Sequence, residues 1–184
     1  MKANKNKILI ILLATVIVLI TAFIFYHSTK NNQESHDASG VVSDIFVPGE
    51  INNDKISDFF MNIGENMPDI EDPTQVTAKD VFEAILRKAA HFLEYAVLGC
   101  AVAGFAIALS NYRKYSVNFL GFELLYVLLV AVFDEHFQSF SDRSSSTVDI
   151  FIDFAGALTG IVLIHFIFYI IKRKKSKNRK NAEE

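Results

Sequence analysis

Several ionisable side chains interrupt the apolar stretches of this sequence, and the first group of them lies between residues 87 and 95. Arg87, His91, Glu94 and Tyr95 recur at spacings that place side chains on one face of an α-helix. One helical stripe therefore carries a cation, an imidazole, a carboxylate and a phenol. An imidazole beside a carboxylate can work as a general acid or base.

Two further polar groups follow, one at the end of the third apolar stretch and one around the start of the fourth. Their members are Asp134, Glu135, His136, Gln138, Asp142, Arg143, Asp149 and Asp153. Ionisable groups inside a bilayer are unfavourable by roughly 3 kcal/mol or more unless they pair or reach water. Their convergence with the first group at one depth predicts a shared polar cavity. The alternative is a network of ion pairs and helix caps that only holds the helices in register.

A polar cavity would give these residues distinct roles. The catalytic candidates are Glu135, His91 and Asp134, because two carboxylates and an imidazole can serve as general acid and base. Adjacent carboxylates on a helix point about 100° apart, so one of the pair 134 and 135 can face the bundle interior while the other faces headgroups or the loop. The candidates for substrate binding are Arg143, Gln138, Glu94, Asp149 and Asp153.

Other roles compete with these for the same residues. Asp149 follows Ser146 by three positions at a predicted helix start, which favours a capping role for its carboxylate. The carboxylates and imidazole could also be ligands to a divalent cation, but their spacing matches no closed metal-binding motif. The single cysteine, Cys100, has no partner for a disulfide or a cysteine-based metal site. The sequence therefore predicts no metal site, and it identifies no cofactor.

Long apolar segments position these residues. Hydrophobic residues make up 51% of the 184-residue chain, with 17 phenylalanines, which is atypical of a soluble globule. Segments 8–26, 89–109, 117–133 and 148–171 approach the roughly 20 residues needed to cross a bilayer. The predicted fold is an all-α integral membrane protein with four transmembrane helices. Gly156 and Gly160 in the last segment match a small-residue motif that serves either internal packing or a homo-oligomer.

Basic residues fall on alternate sides of successive segments. Lysines precede the first segment, Arg113 and Lys114 follow the second, and a basic run at 172–180 follows the fourth. The positive-inside rule then places both chain ends in the cytoplasm, and the acidic 28–80 segment and the polar cluster outside. The basic run directly follows a membrane segment, so we interpret it as an anchor attracted to anionic lipid rather than as a nucleic-acid site.

The polar groups and the glycines near them form one combined motif. It reads Arg87-Lys88-x-x-His91-Phe92-x-Glu94-Tyr95-x-x-Leu98-Gly99, then Asp134-Glu135-His136-x-Gln138-x-Phe140-x-x-Arg143, then Asp149 with Gly156-Ala157 and Gly160. This combination resembles the VanZ-like family over about residues 84–170. The resemblance implies a small multi-helix membrane domain, and the founding member is associated with resistance to the glycopeptide teicoplanin. Family members often have Asn where this chain has Asp153.

With this resemblance the chain divides into four parts. Residues 1–26 are a basic segment with the first transmembrane anchor, and residues 27–83 are an extracytoplasmic acidic segment. This acidic segment contains an amphipathic helix at 51–67. Residues 84–171 are a VanZ-like domain with three transmembrane helices, and residues 172–184 are a basic cytoplasmic tail. Thr77 and Asp80 are predicted to cap a helix that runs into the second membrane segment.

Two classes of function stay open. In the first, a protein of the bacterial cytoplasmic membrane binds or modifies a lipid headgroup or lipid-linked wall precursor, with Arg143 and His91 engaging phosphate or carboxylate and Glu135 acting as base. In the second, the polar cluster is structural, and a non-enzymatic protein acts through a partner or binds the antibiotic. A transporter would need a polar path to the inner face, where Glu123 can pair with His165 or with the basic inner loop.

Overall fold

The computed structural model describes residues 2–29, 78–113, 119–140 and 147–181 of the chain. Within these ranges the chain forms four α-helices, which we number in chain order. They are α1 (Lys2–Ser28), α2 (Ala78–Arg113), α3 (Leu120–Gln138) and α4 (Thr147–Lys180). The all-helical class predicted from the sequence is therefore confirmed for the described residues. The amphipathic helix predicted at 51–67 lies outside them.

Three of the helices are long and apolar enough to cross a membrane. The qualifying stretches are Asn6–Ser28, Val81–Arg113 and Thr147–Lys180. Helix α3 has 19 residues, three of them carboxylic acids, and is not among the three. The structure thus supports a membrane-embedded helical protein, while the count of four spans stays a prediction. The prediction that one helix runs from the Thr77 region into the second segment is confirmed, because α2 continues unbroken from Ala78.

The outer surfaces of the helices are rich in large apolar side chains. Leu19 of α1 is 63% exposed, Leu125 of α3 is 55% exposed, and Leu163 of α4 is 50% exposed. Contiguous apolar surface of this kind is unfavourable in water but matches the hydrocarbon of a bilayer. The exterior of the bundle therefore has the composition expected for contact with lipid tails.

Glycines allow α2 and α4 to approach until their backbones touch. A Cβ added at Gly156 would lie 2.3 Å from the carbonyl oxygen of Phe92, and one added at Gly160 would lie 2.0 Å from that of Ala96. Gly99 makes the reciprocal approach, since its added Cβ would lie 2.1 Å from a carbonyl oxygen of α4. Small residues at helix crossings stabilise membrane bundles through close van der Waals contact. Gly156 and Gly160 thus serve internal packing, and a homo-oligomer stays a prediction that needs another surface.

Helices α1 and α3 complete the bundle. Ile17 of α1 and Val127 of α3 pack into one buried apolar cluster with Leu98 of α2. The hydroxyls of Thr21 and Tyr126 lie 3.0 Å apart, which adds a hydrogen bond between α1 and α3. A hydrogen bond between membrane helices typically contributes about 0.6 kcal/mol, so the packing of apolar side chains and glycines dominates this interface.

Successive helices run in opposite directions, and this alternation gathers the polar residues at one end of the bundle. Ser28 at the end of α1 contacts Asp134 near the end of α3, and Lys88 in the first third of α2 contacts Asp149 near the start of α4. At the other end, Glu123 near the start of α3 meets His165 in the second half of α4. We call the first of these the polar end.

Candidate functional site

Three side chains from three different helices meet at the polar end, and we call them the polar triad. They are His91 of α2, Asp134 of α3 and Asp153 of α4. Nδ1 of His91 lies 3.9 Å from Oδ2 of Asp134 and 3.9 Å from Oδ1 of Asp153. One nitrogen or oxygen atom can be chosen from each residue so that all three lie within 4.8 Å of one another. Residues far apart in sequence thus form one compact polar site.

The close crossing of α2 and α4 sets the separation of two triad members. The carbonyl of Phe92, directly after His91, faces Gly156 across the helix crossing. Gly156 follows Asp153 by three residues, which is just under one helical turn. Because the backbones touch at this point, the imidazole and the carboxylate one turn away cannot move apart without separating the helices. The glycine motif is therefore part of what builds the site.

Asp134 is fully buried and is oriented by hydrogen bonds. The hydroxyl of Ser28 donates to its Oδ1, and Nε2 of Gln138 donates to its Oδ2 over 3.3 Å. Ser28 and Gln138 are themselves buried, so both donors are held in place by packing. A buried carboxylate needs such partners, because burying an unpaired polar group is strongly unfavourable.

Asp153 is in a different situation from Asp134. Its side chain is 2% exposed, and its Oδ1 has no hydrogen-bond partner among the described residues. Glu94 and Glu135 are close enough to Asp153 and Asp134 to repel them electrostatically. Tyr95, which is fully buried, adjoins both triad carboxyls. The site therefore brings four carboxyl groups close together beside the imidazole of His91, and three of them, those of Asp134, Glu135 and Asp153, are buried.

An ion pair lies between the polar triad and the end of the bundle. Nζ of Lys88 is 2.5 Å from Oδ1 of Asp149, and the two side chains are about one-fifth exposed. Asp149 precedes Asp153 by four residues, so Asp149 lies about 6 Å nearer the start of α4. The side chain of His91 is 22% exposed. A molecule at this end of the bundle can thus reach the imidazole and the ammonium group, with the triad carboxylates buried behind them.

Most of the site residues predicted from the sequence lie together at the polar end. They are His91, Glu94, Asp134, Glu135, Gln138, Asp149 and Asp153. Arg143 lies outside the described residues, as does Ser146, the predicted partner of Asp149 in capping. Their roles stay predictions.

One expectation about the adjacent carboxylates is wrong. Only one of the two was expected to face the bundle interior, but Asp134 is 0% exposed and Glu135 is 4% exposed. The reason is that α3 packs against three helices, α1, α2 and α4. The sides of α3 that carry Asp134 and Glu135 are therefore both covered by neighbouring helices. A single helix-helix interface would have covered one direction only.

The structure places in the site two residues, Ser28 and Lys88, to which the sequence assigned no role, and it buries a third, Tyr95, more deeply than expected. Ser28 carried no signal, because a serine at the end of an apolar segment is common and has no charge. Lys88 could have been identified, since it precedes His91 by three residues and so shares its helical face. Tyr95 was placed in the stripe, but its complete burial beside two carboxyls depends on the packing of α3 and α4.

A second carboxylate and imidazole pair lies at the opposite end of the bundle. Oε2 of Glu123 is 2.9 Å from Nε2 of His165, and Glu123 is 1% exposed. The pair borders a pocket of about 170 Å³ that Ser110 and Asn111 also line. Of the two partners expected for Glu123, the structure places His165 in contact with it. This pair is separate from the polar triad and gives a natural comparison for it.

The polar triad has the components for three kinds of chemistry. A partly exposed imidazole backed by carboxylates can exchange protons with a bound molecule. Together with a neighbouring lysine it can bind an anionic group such as phosphate. One nitrogen and two carboxylate oxygens can also hold a cation. The 3.9 Å separations exceed hydrogen-bond length, so the triad differs from the closed pair at the opposite end.

Comparison with known proteins agrees with the resemblance seen in the motif. Residues 12–169 match the sequence model of a family described as VanZ/LLP1. The match begins within α1 and ends within α4, so it starts earlier than residue 84, where the VanZ-like domain was predicted to begin. Searches of curated proteins and of solved structures found no match.

Proposed function

This chain belongs to the VanZ/LLP1 family, and on that premise we propose that its polar end acts at the outer face of the bacterial cytoplasmic membrane. There it binds or chemically alters the phosphate-bearing headgroup of a lipid or of a lipid-linked cell-wall precursor. This action on the envelope lowers susceptibility to a glycopeptide antibiotic such as teicoplanin.

The observation that carries this proposal is the layered arrangement of the polar end. Lys88 and the partly exposed His91 lie on the side of the site toward the first turn of α4, where Lys88 meets Asp149, while Asp134 and Asp153 are buried behind them. Headgroups of a bilayer lie at the level of helix ends, so a lipid phosphate would meet the cationic and titratable groups first. Lysine and arginine are effective phosphate binders, and Arg143 lies between α3 and α4 along the chain.

The proposal includes four membrane spans with both chain ends in the cytoplasm. Helix α3 can span despite its acids because Glu123 pairs with His165 and Asp134 accepts hydrogen bonds inside the bundle. The test uses single cysteines introduced at Ser35 and Ser176 in a Cys100→Ala chain, labelled on intact cells with a membrane-impermeant maleimide. The Ser35→Cys protein should be labelled, and the Ser176→Cys protein only after lysis. The reverse pattern would contradict the orientation.

The functional test measures teicoplanin susceptibility in a susceptible Gram-positive host. Cells express the wild type or the variants His91→Gln, Glu135→Gln and Arg143→Ala, and membrane abundance is measured alongside. Glu123→Gln is the matched control, since it also changes a buried carboxylate but at the opposite end of the bundle. The wild type and the control should protect, and the three site variants should lose protection at equal abundance.

Two other outcomes would redirect the interpretation. Site variants that protect as well as the wild type would favour the non-enzymatic alternative, in which the polar cluster only stabilises the bundle and a partner or the antibiotic binds elsewhere. A wild type that gives no protection would show that the drug association of the family does not extend to this chain. Lipid extracts from the same cells, compared by mass spectrometry, distinguish modification of a lipid from binding alone.

A further inference from the structure

The polar triad has the donor atoms of a cation site. His91 offers an imidazole nitrogen, and Asp134 and Asp153 each offer a carboxylate oxygen, all within 4.8 Å of one another. For any three atoms so spaced, a point exists within about 2.8 Å of each of them. Bonds from first-row divalent metals to such donors are roughly 2.0–2.2 Å long. Side-chain movements of at most about 0.8 Å would therefore complete coordination.

The second observation is the state of Asp153. Its side chain is 98% buried, and its Oδ1, the atom that faces His91 at 3.9 Å, has no hydrogen-bond partner among the described residues. A buried carboxylate oxygen normally has a partner. A cation at the centre of the triad would supply one to this oxygen and would offset the repulsion between Asp134 and Asp153.

The surroundings of the triad resemble those of a supported metal site. Ligands in metalloproteins are held by hydrogen bonds from neighbouring residues, which fix their orientation. Asp134 has such support, because Ser28 donates to one of its oxygens and Gln138 to the other. Lys88, the nearby ammonium group, is paired with Asp149, which lies about one turn away from Asp153.

We propose that His91, Asp134 and Asp153 bind one divalent transition-metal cation such as Mn²⁺ or Zn²⁺. The mixed nitrogen and oxygen donor set favours these ions over Ca²⁺ and Mg²⁺, which prefer oxygen donors alone. Three protein ligands leave at least one coordination position open, toward the partly exposed side of His91. Cation binding requires none of the envelope substrates proposed above.

The test uses the full-length protein in phospholipid nanodiscs, stripped with a chelator and titrated with Mn²⁺. Free Mn²⁺ is followed by electron paramagnetic resonance, and pulsed measurements detect coupling to the imidazole ¹⁴N. The variants are Asp153→Asn and His91→Gln. Glu123→Gln is the control, because it alters the other buried carboxylate and imidazole pair. Thermal melting verifies that each protein is folded.

The wild type and Glu123→Gln should bind one Mn²⁺ per chain, displaced by Zn²⁺ but not by equal Mg²⁺, with ¹⁴N coupling. Asp153→Asn should bind at least about 100-fold more weakly, since even changes around metal ligands weaken binding 10- to 100-fold. His91→Gln should lose the ¹⁴N coupling. Wild type without a stoichiometric Mn²⁺ site, wild type without ¹⁴N coupling, or Asp153→Asn with wild-type affinity would each overturn the proposal.

Failure of this proposal can be distinguished from failure of the proposed function. Mn²⁺ binding by a protein whose site variants leave drug susceptibility and lipid extracts unchanged would sustain the cation site and reject the envelope function. Loss of protection in those variants, with no Mn²⁺ binding by the wild type, would sustain the envelope function and reject the cation site. The wild-type measurements distinguish these outcomes even if Asp153→Asn fails to fold.

Discussion

Replacing Gly156 with alanine should separate α2 from α4 at the place where the polar triad is built. The added Cβ would lie 2.3 Å from the carbonyl oxygen of Phe92, whereas real Cβ contacts are essentially never shorter than 3.0 Å. The two backbones must therefore move apart by roughly 0.7 Å or more, which is overpacking of the kind that typically lowers stability by about 1–3 kcal/mol. The ratio of folded to unfolded protein should fall at least about fivefold.

Gly104→Ala is the matched control for this prediction. It makes the same chemical change on α2, but its added Cβ would meet only Leu13 Cδ2, at an ordinary 3.8 Å. Thermal melting in detergent, followed by size-exclusion chromatography, should show a clear loss for Gly156→Ala and little change for Gly104→Ala. If both variants have the same melting temperature as the wild type, the backbones of α2 and α4 are not in contact at Gly156. The positions assigned to His91 and Asp153 would then be wrong as well.

Two further predictions concern buried polar partners at the two ends of the bundle. Ser28→Ala removes the hydroxyl that donates to buried Asp134, so it should lower stability by about 1–3 kcal/mol, as judged by melting against the control Thr29→Ala at an exposed position. His165→Ala removes the imidazole that pairs with Glu123 and leaves the Glu123 carboxylate buried without it. This single variant should therefore be less stable than the double variant His165→Ala/Glu123→Gln, in which the buried carboxylate is removed as well. Equal melting of these single and double variants would contradict the assigned pair.

The sequence predicted the helices and the end of the bundle at which polar groups gather, because hydropathy and charge order depend on local composition. It did not predict which groups would touch. The contact between Ser28 and Asp134 depends on the parallel packing of α1 and α3, which no local pattern encodes. The burial of both Asp134 and Glu135 likewise depends on three helices surrounding α3.

The sequence predicts only part of the contact between His91 and Asp153. Gly156 and Gly160 indicated a close helix contact, but the partner surface on α2 could not be assigned from spacing. A metal site was not predicted because its three donors lie 43 and 19 residues apart along the chain. Motif-based reasoning detects ligands that are near in sequence, whereas membrane bundles assemble sites from residues on separate helices.

If the proposed function holds, the polar end receives the phosphate-bearing group of a membrane lipid or lipid-linked precursor. The most direct measurement is photocross-linking in vesicles that contain a phospholipid with a photoreactive headgroup, followed by peptide mapping. Cross-links should concentrate near Lys88 and Asp149, fall in Lys88→Gln, and persist in Glu123→Gln. An excess of unlabelled lipid or wall precursor, added separately, identifies which source competes. Cross-links spread evenly over both ends of the bundle, or unchanged in Lys88→Gln, would contradict the claim.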